Sequence, residues 1–173
     1  MDEFRWRSAL GASVTLFVLY GVVSVLASIA VPVSMHLGGL AGTPFLVLGH
    51  DADSAFLARP VESLGLTDLR LAMFLVNFMD TMCAYMASFG LLQLGIAWFA
   101  LRRGQGWALW TLLVANLAVF PYYVAVASAY VQLAISVASP GFSAFFVGTL
   151  ASVLLATALG WPAVRQRRLV AGT

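Results

Sequence analysis

A chain of 173 residues that is 62% hydrophobic and only 9% charged, with a mean hydropathy of +0.95, falls outside the soluble globular class, where charged residues approach a quarter of the chain. The net charge of +2 contains no lysine; the nine arginines gather at segment ends and form no stripe, which argues against nucleic acid as a partner. A single cysteine, Cys83, makes neither an internal disulfide nor a CxxC redox pair, and it reads as a small buried apolar residue.

In chain order, the first apolar run covers residues 9–33. Its small residues "SIA" at 28–30 sit at signal-cleavage spacing, but the run is longer than a signal h-region and its flank "MDEFRWR" mixes signs, so an uncleaved anchor is expected. A mildly acidic loop follows at 34–68, with Asp51, Asp53, Glu62 and Asp68 against Arg59. Within it "DSAFLARPVESLGL" intersperses apolar residues with charge, as a short helix or extended piece lying on the bundle mouth or the outer interface would, interrupted at Pro60. Thr67 and Asp68 offer an N-cap to the second run, 69–101. The third run is 107–137, with a kink expected at Pro121, and the fourth is 142–161. Each run meets the roughly 20 residues that a helix needs to cross a bilayer. The breaks "MHLGGLAGTP", "RRGQG", "ASPG" and "RQRR" carry turn chemistry or charge. The expected fold is all-α, a polytopic membrane protein built as one antiparallel four-transmembrane-helix bundle.

Seven of the nine arginines flank the ends that alternate spans bring to one side. The positive-inside rule then makes both termini and the "RRGQG" turn cytoplasmic, and Trp6, Trp98, Trp107, Trp110 and Trp161 mark the same interface. Small residues at Gly21, Ser24 and Ser28, and again at Gly148, Ser152 and Ala156, are expected to pack helices internally.

Asp80 stands inside the longest apolar stretch. Counting back about 20 residues from Arg102 at 1.5 Å each places it in the outer leaflet, about a turn below the boundary. Asn77, Asp80, Thr81, Ala84 and Ser88 share one helix face, expected to turn toward the bundle, while Met73, Met79, Met82 and Met86 supply flexible packing. Equal counting brings Ser28, Ser128 and Ser143 to the same depth, bracketed by Tyr123, Tyr130 and Gln132. The candidate ligand- or ion-binding residues are therefore Asp80, Asn77, Thr81, Tyr123, Ser128, Tyr130 and Gln132. The same groups could equally serve as helix-to-helix hydrogen-bonding glue.

His36 and His50 flank the outer loop, but no second helical histidine or CxxC fixes a metal geometry, so no metal is expected and the histidines read as solvated. No cofactor is expected: neither histidine lies in a span where a buried haem would need it, and GxSxG, HExxH and Walker patterns are absent. Paired-aspartate proteolysis fails because only Asp80 lies within a span.

The segment "FGLLQLGIAWFALRRGQGWALWTLLVANLAVFPYY", about a fifth of the chain, resembles a pattern in four-helix bacterial membrane proteins grouped as DoxX-like, where an arginine pair ends one helix and a Trp-rich turn opens the next. The resemblance implies a four-helix membrane protein and transfers no catalytic residue. An arginine-only, Ala- and Val-rich composition is compatible with a high-GC bacterium, and the expected location is a bacterial inner membrane. Three functions stay open: a non-enzymatic binding or accessory component with an outward-facing polar pocket around Asp80, alone, as a homo-oligomer or in a larger membrane assembly; a proton- or cation-coupled small transporter using Asp80; and a membrane enzyme acting on a lipid or quinone, with Asp80 as acid or base and Tyr123 or Tyr130 assisting.

Overall fold

The computed structural model describes residues 4–42, 46–137 and 140–171, with side chains throughout except at 41–42, 140–145 and 167–171. The Ser143 side chain and residues 138–139 of the "ASPG" turn therefore lie outside what is described. Every regular element among the described residues is helical: α1 is Ala9–Gly38, α2 His50–Phe56, α3 Leu64–Thr67, α4 Leu69–Gly95, α5 Gly106–Leu117, α6 Phe120–Gln132 and α7 Pro140–Ala171. Four stretches are long and apolar enough to cross a membrane: Ala9–Gly38, Leu69–Arg103, Gly106–Gln132 and Phe146–Gln166. Leu19, Val23, Leu26, Ile29 and Val33 of α1 are all exposed, a face that suits lipid and not water.

The helix ends follow local chemistry. Ser8 caps α1 by accepting the Gly11 N–H at 3.1 Å, and Asp68 caps α4 by accepting that of Leu71 at 3.0 Å. The second span leaves α-helical geometry near its end, through a π-helical turn at Ile96–Ala100 and a 3₁₀ turn at Leu101–Arg103. It stops at Gly104, whose φ of 73° is a left-handed conformation that glycine adopts without a Cβ penalty.

Two boundaries differ from expectation. The first helix runs five residues past Val33 to Gly38, carrying Pro32 inside it. The stretch Gly106–Gln132 is interrupted at Pro121 as expected: the proline has no N–H for the Leu117 carbonyl, 118–119 are turn residues between α5 and α6, and the proline sits in the first turn of α6, where a missing donor is harmless. Helix α6 also ends at Gln132, five residues short of 137. The segment between α1 and α4 carries α2, α3 and 3₁₀ turns at Gly39–Gly42 and Val61–Ser63, with Pro60 separating its two halves as expected.

The chain divides into two compact units. Unit 1 comprises residues 1–25, 88–119 and 148–173. Its core takes Val14 and Phe17 from α1, Ala97 and Leu101 from the end of the second span, Leu109 and Leu112 from α5, and Val153 and Ala156 from α7. Close approach sets the helix spacing here. A Cβ on Gly90 would come within 3.1 Å of the Gly21 carbonyl oxygen, and one on Gly160 within 2.7 Å of Ser13 Oγ. Gly21 thus packs internally as expected, whereas Gly148 faces open space and Gly160 takes the close contact in α7. All five tryptophans and seven of the nine arginines belong to this unit.

Unit 1 also buries two amides. Gln93 donates to the Phe17 carbonyl at 3.0 Å, and Asn116 donates to Gln93 Oε1 at 3.0 Å and to the Leu112 carbonyl at 2.7 Å. Both are 2% exposed. Neutral amides donate and accept in one side chain, so they tie three helices together without burying a charge.

Unit 2 comprises residues 26–87 and 120–147. One core joins Met35, Leu40, Leu46, Val61, Leu64, Ala72 and Met79; a smaller one joins Leu48, Ala52 and Tyr130. Val61 and Leu64 are 1% and 0% exposed, so the loop is packed onto α1 and α4, each such side chain contributing about 1.5–3 kcal/mol.

Candidate functional site

The segment between α1 and α4 is organised around Asp53, which is 2% exposed. The backbone turns through 46–49 so that four consecutive N–H groups converge on its carboxylate: Leu46 at 2.7 Å, Val47 at 3.0 Å and Gly49 at 3.4 Å donate to Oδ2, and Leu48 at 3.1 Å donates to Oδ1. Gly49, at φ 150° and ψ 152°, holds a conformation reserved for glycine and lets the chain double back into α2. The Tyr130 hydroxyl closes the shell from α6, donating to Oδ1 at 2.8 Å, and the Tyr130 ring lies 4.6 Å from that of Phe56. Five donors on one carboxylate make Asp53 a fastener between the loop and α6.

Around it the loop is pinned by smaller contacts. The Val61 N–H donates to Ser54 Oγ at 3.2 Å, and Arg59 donates to Thr67 Oγ1 at 3.2 Å. His50 pairs with Glu62 across Pro60. Its own backbone N–H and then the His50 hydrogen bond hold the Glu62 carboxyl below the ordinary value of 4.5.

Asp80 has different company. His36, near the end of α1, brings Nε2 to 3.0 Å from Asp80 Oδ2. The two side chains are 60% and 35% exposed. The other oxygen, Oδ1, is buried and has no hydrogen-bond partner among the described residues. Cys83, one turn further along α4, is buried as expected. His36, expected as a solvated residue flanking the loop, is helical and stands beside Asp80.

The face that carries Asp80 points elsewhere than expected. Asn77, Thr81, Ala84 and Ser88 are exposed, whereas Ala72, Met79 and Cys83 face inward. Among the methionines Met79 packs the core, and Met73 and Met82 are exposed. The hydroxyls explain the inversion: Thr81 Oγ1 donates to the Asn77 carbonyl at 2.9 Å and Ser128 Oγ to the Ala125 carbonyl at 2.7 Å, so each is satisfied by its own helix and needs no inward partner. Of the remaining candidates, Gln132 is exposed at the end of α6, Tyr130 is committed to Asp53, and Tyr123 packs its ring 6.0 Å from that of Phe146. The geometry joins Asp80 to His36 and Tyr130 to Asp53.

Neither Asp53 nor His36 is among the binding candidates that the sequence offers; there they enter only through the metal-site reading of the histidines and "HDAD" that the sequence disfavours. A signal for Asp53 was present: the apolar run "LVLG" just before "HDAD" must bury backbone N–H groups, and buried donors require an acceptor. For His36 the partner lies 44 residues away, beyond the reach of local pattern.

Comparison with protein-family models, with curated proteins and with solved structures finds no match to this chain. Chemistry at the two carboxylates therefore carries the functional argument.

Proposed function

We propose that this chain is a small non-enzymatic membrane protein of the bacterial inner membrane, an antiparallel four-helix bundle with both termini cytoplasmic, that acts as a binding or accessory component. Its binding group is the Asp80–His36 pair near the outer mouth. One observation supports this reading above the others: Asp80 keeps one oxygen on an imidazole and the other buried without a donor, a carboxylate whose acceptor capacity is unfilled. Ionisable groups within spans are costly, and an unsatisfied one is best explained by a ligand that completes it.

A second reading, a proton- or cation-coupled transporter, draws on the same orphaned Oδ1, which a proton or cation would fill. The enzyme reading has less support, because the Tyr130 hydroxyl that would assist Asp80 is held by Asp53.

The test is carboxylate infrared difference spectroscopy in nanodiscs, comparing the chain with Asp80→Asn and His36→Gln, with candidate cations and membrane lipid extracts added in turn. The expected result is an Asp80 band that moves with one class of addition and stops moving in His36→Gln. A band indifferent to every addition reduces the pair to a packing contact and overturns the proposal. Proton-dependent flux in liposomes, lost in Asp80→Asn, would establish the transporter in its place.

A further inference from the structure

Two open grooves run along unit 1, of about 460 and 470 Å³, within the size range of small-molecule sites. The first carries Arg103 and Trp107, the second Trp98, and Leu91, Gly95 and Phe99 line both. They meet over Gly95, where a Cβ would touch nothing within 4 Å: the glycine leaves a dent in the helix surface that no other side chain fills. The adjoining π-helical turn at Ile96–Ala100 widens the backbone at the same level, a distortion frequent at functional sites.

Polarity along the grooves is graded. From Leu91 to Phe99 the floor is apolar, and Leu91 and Phe99 are 61% and 64% exposed. At the far end stand two adjacent arginines. Arg102 lies over the Trp98 ring, 4.9 Å from its centroid, which sets a guanidinium at the end of the second groove; Arg103 lines the first. The Trp107 indole is fixed at the rim by donating to Gln105 Oε1 at 3.0 Å. From Leu91 to Arg103 the helix rises about 18 Å, close to the ~15 Å depth of one leaflet. Beyond Asp80 the sequence contains no acidic residue, and unit 1 sets seven arginines against only Asp2 and Glu3.

We propose that these grooves bind one anionic diacyl phospholipid, an acyl chain in each groove and the phosphate against Arg102 and Arg103. A second helix would not match the pattern, because an apolar floor ending in paired cations at one leaflet's depth complements an amphiphile with a single anionic end. This site involves none of the residues of the Asp80–His36 pair and stands or falls separately from it.

The test is quenching of tryptophan fluorescence by brominated phospholipids in nanodiscs, with the Trp107→Phe difference isolating the groove signal. Brominated phosphatidylglycerol is expected to outcompete brominated phosphatidylcholine at least about fivefold, the effect of one basic side chain near an anionic surface. Arg103→Gln should reduce that preference severalfold while chain-dependent quenching remains. Gly95→Leu, whose Cβ meets nothing within 4 Å and whose side chain occupies the dent, should weaken quenching by both lipids. Equal quenching by the two lipids in the unmodified chain overturns the proposal without recourse to any variant. So does a preference that survives both substitutions, since that is general enrichment around a basic protein.

Discussion

Asp53 and Asp80 belong to the same compact unit and differ in almost everything around their oxygens. Asp53 is 2% exposed and accepts from four backbone N–H groups and a phenol. Asp80 is about one-third exposed, accepts from one imidazole and keeps an oxygen without a donor. A saturated carboxylate has no valence left for a ligand, so its role is to hold the chain; an unsaturated one holds little and retains capacity to bind. Being an aspartate in an apolar sequence distinguishes neither. The count of donors does.

The largest expected effect tests the first half of that contrast. Asp53→Ala leaves buried N–H groups and a buried phenol without an acceptor, and should destabilise unit 2 by about 3 kcal/mol. Thermal unfolding in detergent measures the loss, and limited proteolysis should cut within 46–60 in the variant first. Tyr130→Phe removes only the donor from α6 and should cost about 1.5 kcal/mol, with the loop still protected. Equal losses in the two variants would mean that the tie to α6, and not the backbone turn, carries the fastening.

That the chain forms helices long and apolar enough to span a membrane was legible because hydropathy and length are local: runs near 9–33, 69–101 and 142–161 all fall within long helices, and Asp68 caps α4 as its position suggested. What escaped is non-local or geometric. The donors to Asp53 depend on a backbone path that Gly49 permits, which composition does not encode. The i, i+3, i+4 spacing placed Asn77, Asp80 and Thr81 on one face correctly but not its direction, because a hydroxyl that bonds its own helix feels no pull inward. Gln93 and Asn116 escape for the opposite reason: amides carry no charge to mark them in an apolar sequence, yet both are only 2% exposed.

Those amides give the next effect. Gln93→Leu and Asn116→Leu, measured singly and together in a detergent unfolding cycle, should show a coupling of about 0.6 kcal/mol, the usual worth of an interhelical hydrogen bond in a membrane protein. At Asp80 the expected change in stability is smaller still: Asp80→Asn and His36→Gln should each shift unfolding by about 0.5 kcal/mol or less, as exposed pairs do, while altering ligand response. If Asp80→Asn destabilised the chain more than Asp53→Ala, the assignment of holding and binding roles would be reversed.

The smallest effect concerns acid. The folded chain holds the Glu62 carboxyl below its ordinary value of 4.5 through its own backbone N–H and through His50. A carboxyl with a lowered folded value stabilises the fold fully above the ordinary value, and that contribution fades as pH falls through the lowered one. Glu62 is exposed, so solvent screens the pair and the effect is local, confined to the junction of α2 with the 3₁₀ turn at Val61–Ser63. Amide hydrogen exchange at Val61, compared between about pH 6 and pH 3 after correction for intrinsic rates, should show protection falling only at the acid end. Glu62→Gln should flatten that dependence, and His50→Gln should move the loss of protection toward higher pH, because the carboxyl then keeps only its backbone donor. A loss of protection already complete near pH 6, or one unchanged in Glu62→Gln, would assign the acid response to another group and leave the His50–Glu62 pair without a part in holding the loop that Asp53 fastens with its five donors.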